Sequence, residues 1–227
     1  LANTNKNLVV VYVGGSAIDL SSWDNQVPAI LFAWYSGMEG GNALANVLYG
    51  DVNPSGKLPF SIAKQESDYP YFTPYTENIT YGYYHGYTLF DKKDIEPAYP
   101  FGFGLSYTNY DYSNLSIVNP DIYESDSLKV SVTVTNSGKV AGDEVIQLYI
   151  GFANSAVDRP VKLLRDFDRI PLEPGQSKVV ELEVPAADMA WYNPQAKAWR
   201  VEHMGYEVYV GSSSATQDLL KSHFRVQ

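Results

Sequence analysis

The stretch from Pro28 to Phe60 constrains the fold more than any other part of the chain. Pro28-Ala-Ile-Leu-Phe-Ala-Trp-Tyr35 is short and uniformly apolar. That pattern suits a strand buried on both faces of a parallel sheet, not a half-exposed one. Gly37, Gly40 and Gly41 follow and permit a sharp turn. Ala43, Leu44, Val47 and Leu48 then form one stripe at helical spacing, with Gly50 where a helix C-cap belongs. Asn53-Pro-Ser-Gly56 reads as a turn, and Lys57 to Ile62 as another strand. Leu8-Val-Val-Val-Tyr-Val13, ended by Gly14-Gly15, supplies a strand before all of this. The segment from Ile18 to Trp23 reads as a short helix or loop.

Three parallel-type strands and one helix cannot cover both faces of their own sheet, and parallel sheets need helices on both sides. Residues 1–65 are therefore expected to be the C-terminal portion of a larger α/β domain. Its missing elements are expected before Leu1, in the same gene or on another chain.

Residues 66–112 change character. They hold 11 of the 19 tyrosines, punctuated by Pro70, Pro74, Pro97 and Pro100, with no helical period. This reads as an ordered aromatic connector. Packing is the favoured account of its tyrosines, since tyrosine buries its ring and keeps its hydroxyl wet. Stacking against sugar rings is the sharper alternative.

From residue 113 the period switches to two. Leu128, Val130, Val132 and Val134 alternate with Lys129, Ser131 and Thr133; Val180, Leu182 and Val184 with Glu181 and Glu183; Tyr206, Val208 and Val210 with Glu207 and Tyr209. Asn136-Ser-Gly138 and Pro171-Leu-Glu-Pro-Gly175 are turns, and Glu144 to Ile150 is a strand. About seven short strands with regular turns predict an antiparallel β-sandwich over 113–227.

Several chemistries are excluded or disfavoured. The net charge of −10 carries no basic patch, so nucleic acid and anionic membrane surfaces are not expected partners. No apolar run reaches the ~18–20 residues needed to span a bilayer. No signal peptide opens the chain, which leaves a cytosolic, a mature or a truncated protein open. With no cysteine, there is no disulfide and no thiolate chemistry. Gly50 to Leu58 superficially resembles a phosphate loop, but its spacing is one residue long and Leu58 stands where Ser or Thr should hold magnesium. Gly102-Phe-Gly104 lacks the third glycine of a dinucleotide fingerprint. His85, His203 and His223 lie far apart, without metal-ligand spacing. No metal and no cofactor is expected. Glu39 lies at a helix start, where a carboxylate favours the helix dipole; contact with a substrate or an interface is its other reading. Asp51 reads as a turn residue. No pair of carboxylates is poised for glycoside hydrolysis. Asn78-Ile-Thr80 and Asn114-Leu-Ser116 are candidate N-glycosylation sites.

Four stretches carry a resemblance: Ile30 to Pro59; Pro97-Ala-Tyr-Pro-Phe-Gly-Phe-Gly-Leu-Ser-Tyr-Thr108; Val134-Thr-Asn-Ser-Gly with Gly142-Asp-Glu-Val-Ile-Gln-Leu-Tyr149; and Pro160-Val-Lys-Leu-Leu-Arg-Asp-Phe167 with Leu172-Glu-Pro-Gly175. Together they resemble the C-terminal part of the family 3 glycoside hydrolases, the β-glucosidase and β-xylosidase group. The resemblance implies a barrel, then an α/β sandwich, then a fibronectin-type-III-like domain. It implies a retaining exo-glycosidase acting on a terminal β-glucosyl residue, with β-xylosyl as second choice. The implied nucleophile is an aspartate on the barrel. The implied acid/base is a glutamate on a loop before the strand matching Leu8–Val13. Both would map before Leu1, so no catalytic residue is expected in this chain and no substrate-binding residue is assigned. Its expected role is to brace the acid/base loop, with the barrel-bearing part as partner, a β-glucoside or oligosaccharide as substrate, and a secreted or periplasmic location. Tyr81-Gly-Tyr-Tyr-His-Gly-Tyr-Thr88 departs from the family's connector run, because Tyr81 and Thr88 replace charged ends. The competing expectation, from another class, is a non-catalytic carbohydrate-binding or adhesion module.

Overall fold

A computed structural model describes residues 2–227. Near the N-terminus, β1 (Val9–Tyr12) and β2 (Ala29–Phe32) form a two-stranded parallel ladder, Val9 opposite Ala29 and Tyr12 opposite Phe32. Helix α1 (Gly40–Tyr49) follows and ends on Gly50 at φ 83°, the left-handed conformation that glycine adopts without a Cβ penalty. The Val47 carbonyl accepts both the Gly50 N–H (3.1 Å) and the Tyr107 hydroxyl (2.6 Å), which ties that last turn to the segment around Tyr107.

One sequence expectation is corrected here. Lys57 to Ile62 does not extend the parallel sheet. It lies antiparallel to residues 99–103: Leu58 N–H donates to Phe103 C=O (2.8 Å), and Ile62 and Tyr99 exchange backbone bonds. Of the two readings of Ile18–Trp23, a short helix or a loop, the loop holds: the segment ends in a turn at Ser21–Trp23, with a single 3₁₀ turn at Asp24–Gln26 just after it. A second departure is α2 (Gly86–Lys93), inside the tyrosine-rich stretch read as lacking helical period. Its N-terminus is closed by Thr88, whose hydroxyl donates to the His85 carbonyl (2.7 Å). Asp94, at φ 54°, ends it.

The remaining strands form two packed sheets. One has five strands in the order β4 (Asp121–Ile122), β12 (Leu219–Val226), β11 (Gly205–Gly211), β6 (Gly142–Gly151) and β7 (Lys162–Leu172). The other has three, β3 (Tyr110–Ile117), β5 (Ser127–Asn136) and β8 (Ser177–Pro185). A small hairpin, β9 (Trp191–Asn193) with β10 (Ala198–Arg200), stands apart. Pairing is antiparallel except between β12 and β4. The first sandwich strand starts at Tyr110, ahead of the boundary expected at 113, because Tyr110–Tyr112 pair with the end of β5. The expected α/β-plus-sandwich class is what the structure has.

The period-two pattern places the core. Leu128, Val130, Val132 and Val134 are buried, as are Val180, Leu182, Val184, Tyr206, Val208 and Val210. Each such side chain contributes about 1.5–3 kcal/mol when fully buried. Strand β6 breaks the one-sided rule: Ile146, Leu148 and Ile150 face the core, yet Gln147 and Tyr149 are also buried. Tyr87 lies within 6.0 Å of the Tyr149 ring, and Phe101 packs at 4.9 Å on Tyr87, so α2 and the connector roof this outer face.

The hydrophobic core cluster lies entirely within the sandwich. Among the described residues the α/β portion has no comparable core. None of the residues in α1 is buried, and Val9, Val13, Tyr35, Met38, Leu48 and Tyr49 are exposed, Met38 almost completely at 98%.

Candidate functional site: a locked seam beneath an uncovered α/β face

The turn after α1 is where the two parts meet. Asn53 follows directly on its bend at Asp51–Val52. Its Oδ1 accepts from the Tyr107 N–H (2.8 Å) and the Ser106 hydroxyl (2.9 Å), and its Nδ2 donates to Ala141 C=O (2.9 Å) at the entry to β6. Lys57, four residues on, pairs with Glu144 at 3.2 Å; their side chains are 13% and 3% exposed. Lys57 also donates to Gly104 C=O (3.2 Å), and the Tyr112 hydroxyl donates to Glu144 (2.7 Å). Burial, then the Glu144 charge, pushes the Tyr112 phenol far above its usual range, so it remains a donor at any physiological pH. Gly104 has to be glycine here, because a Cβ would run into the Gly56 carbonyl. The lysine of the phosphate-loop look-alike thus serves as one half of a buried latch.

Two further clusters complete the seam. Asn136, wholly buried at the end of β5, uses its whole amide: Oδ1 accepts from Thr108 Oγ1 (2.5 Å) and Gly138 N–H (3.1 Å), and Nδ2 donates to Val140 C=O (2.9 Å) and Leu172 C=O (3.0 Å). Beneath α2, Lys162 pairs with Asp91 (2.7 Å), and Leu164 N–H donates to the Tyr87 hydroxyl (3.0 Å). Burial raises the Asp91 carboxyl above its ordinary value, opposed by the Lys162 charge. At the rim, Asp158 takes both Lys92 (2.7 Å) and the Tyr84 hydroxyl (2.6 Å). An aromatic chain then links the seam to the parallel ladder. Phe60 meets Trp34 at 5.5 Å, Trp34 meets Phe32 at 6.0 Å, and Phe32 meets Tyr12 at 5.0 Å.

The residues singled out in the sequence are placed as follows. Glu39 occupies the N-cap position of α1, but its carboxylate bonds no backbone N–H; it accepts from Asn42 Nδ2 (2.5 Å) and is exposed. Asp51 lies exposed in the bend after α1. His85 precedes α2, His203 pairs with Glu124 (2.8 Å), and His223 is cross-strand from Glu207. Among the described residues no cluster of His, Cys, Asp or Glu has metal-binding geometry. Asn78 is exposed in the connector, and Asn114 is exposed at the irregularity in β3, its Nδ2 donating to Thr133 Oγ1 (3.3 Å). Of the connector tyrosines, Tyr69, Tyr87 and Tyr112 pack or bond within the chain, whereas Tyr71, Tyr75, Tyr81 and Tyr83 are exposed.

Sequence reasoning passed over Glu144 and Asn136. Parity held the signal. Glu144 shares a face with Ile146 and Leu148, and Asn136 with Val132 and Val134. A polar residue at a core-parity position has to find a specific partner.

The structure is thus an antiparallel two-sheet sandwich locked onto a parallel α/β unit. The glycosyl hydrolase family 3 C-terminal domain matches residues 1–107, and a fibronectin type III-like domain matches residues 144–214. The chain belongs to glycoside hydrolase family 3. It is 39% identical over 228 residues to beta-glucosidase BoGH3A of Bacteroides ovatus, covering 95% of this chain and 30% of that protein. It is 38% identical over 231 residues to thermostable beta-glucosidase B of Acetivibrio thermocellus, covering 100% of this chain and 30% of that protein. Among solved structures, beta-D-glucoside glucohydrolase from Trichoderma reesei superposes with a TM-score of 0.90 at 35% identity, over 100% of this chain and 34% of that one. Beta-glucosidase 3B from Thermotoga neapolitana, in complex with α-D-glucose, gives 0.88 at 37% identity, over 98% and 32%. The chain thus spans about a third of the length of these relatives.

Proposed function

We propose that this chain acts as the C-terminal portion of a retaining, exo-acting β-glycosidase that hydrolyses terminal β-D-glucosyl residues, with β-xylosyl residues second. One observation carries the proposal: a parallel ladder and its helix present an uncovered apolar face (Val9, Val13, Tyr35, Met38, Leu48, Tyr49), which a further α/β layer would bury. The names of the relatives support the glucoside preference. The chain's own contribution is bracing. β1 is held in register against β2, β2 is tied through Trp34 and Phe60 to the seam, and the seam is locked to the sandwich. A loop entering β1 would therefore be fixed relative to the sandwich, as precise placement of an acid/base requires.

Two measurements test this. Purified residues 1–227 should show no turnover of an aryl β-glucoside. Co-expression with the barrel-bearing part should give one complex on gel filtration and turnover of the aryl β-glucoside ahead of the aryl β-xyloside. Robust hydrolysis by residues 1–227 alone would overturn the proposal. A monomer that binds glycan and ignores the barrel-bearing part would favour a carbohydrate-binding module built on the exposed connector tyrosines. A secreted or periplasmic location is part of the same proposal. Asn78 and Asn114 are its proposed glycan acceptors: in a secretory eukaryotic host each should add mass that an endoglycosidase removes, and each Asn→Gln variant should lose its share.

A further inference from the structure

Every other cation at least half-buried in this chain has an acceptor among the described residues. Lys57 has Glu144, Arg159 has Glu202 and the Met189 carbonyl, Lys162 has Asp91, and Lys178 has the Pro171 carbonyl. Arg165 is the exception. It is only partly exposed, takes part in no salt bridge or side-chain hydrogen bond among the described residues, and its Nε is fully buried without an acceptor. Asp188 is felt at longer range but lies outside ion-pair distance, and the nearby charge of Arg159 adds repulsion. Burial and that repulsion lower the guanidinium's pKa, yet a guanidinium stays charged in proteins.

The backbone explains why the side chain is there. In the β6–β7 ladder Leu148 pairs with Asp166 and Tyr149 with Leu164, so Arg165 is the extra residue of a β-bulge. A bulge leaves one residue unpaired and re-aims its side chain. Beside Arg165 stands Tyr87, whose hydroxyl accepts from the neighbouring Leu164 N–H. A partly buried guanidinium without a counter-charge is costly, and its planar fork matches a carboxylate in bidentate geometry.

We propose that Arg165 is a docking receptor for a carboxylate side chain on the barrel-bearing part of the protein, which would enter beside Tyr87. This rests on the reading that such a part exists. The relatives, about three times as long as this chain, supply polypeptide for it, and the charge complementarity selects an acidic group.

The test compares Arg165→Gln and Arg165→Lys with the natural chain in two assays: melting of residues 1–227, and affinity for the barrel-bearing part over a salt series. Arg165→Gln should leave the melting temperature of residues 1–227 unchanged or raise it, because it removes an uncompensated charge. It should weaken association by about tenfold or more and flatten its salt dependence, as loss of a charge-assisted bidentate contact does. Arg165→Lys should fall between, keeping the charge without the fork. Equal affinity of the Gln variant and the natural chain would overturn the receptor role, and so would a lowered melting temperature of the isolated Gln variant. Absence of association even for the natural chain would overturn the barrel-partner reading itself, and this inference with it. A melting shift of residues 1–227 on adding millimolar acetate or glucuronate, lost in Arg165→Gln, would assign the site to a free anion and overturn the choice of source.

Discussion

Replacing Glu144 with Ala should destabilise the chain by about 3–5 kcal/mol, the cost of breaking a buried ion pair from one side. The variant strands Lys57, which is 13% exposed and has only the Gly104 carbonyl left, and it removes the acceptor of the Tyr112 hydroxyl. Glu144→Gln should cost less, since an amide oxygen still accepts from Tyr112. The double change Lys57→Met with Glu144→Leu should recover much of the loss, because well-packed apolar replacements of buried ion pairs are often neutral or better. The damage should also be located. The α/β portion depends on the seam, so proteolysis in the connector near Tyr71–Tyr81 should appear at lower urea than the loss of sandwich circular dichroism. A Glu144→Ala chain whose urea midpoint is unchanged, and whose connector is no more easily cut, would refute the latch.

Asn136→Ala should cost about 3 kcal/mol or more, since each buried polar group left unpaired costs about 1–3 kcal/mol. The substitution removes four hydrogen bonds at a wholly buried position and strands the Val140 and Leu172 carbonyls and the Thr108 hydroxyl. Thr108→Val is the graded control. It removes one of the four bonds and should cost about 1–2 kcal/mol. Asn136→Asp should also destabilise, because a carboxylate can no longer donate to the two carbonyls. Urea unfolding monitored on the sandwich decides it; Asn136→Ala and Thr108→Val variants of equal stability would show that the amide is not a hub.

The elements with strong local signals were legible. Period-two alternation located β5, β8 and β11 and the correct inward face of each, and Gly50 marked the end of α1 at the residue that adopts the left-handed conformation. Residues 57–62 and α2 were misread for opposite reasons. Lys57–Ile62 has strand-like composition, but composition does not say which chain it pairs with, and its partner turned out to be Tyr99–Phe103. The eight-residue helix α2 is too short for a period to stand out against tyrosines that serve packing on several sides.

The sequence by itself determined the two architectures and their order. These follow from periodicity and turn residues, which are local properties of the chain. The tertiary structure alone decided what joins the two parts. Lys57 and Glu144 are 87 residues apart, Asn53 and Ala141 88, and Arg165 lost its ladder partner to a bulge. Whether a buried polar group is matched or left open depends on which distant segment the fold brings against it. No local propensity carries that information, and the seam and the unmatched arginine become visible only once the sheets are packed.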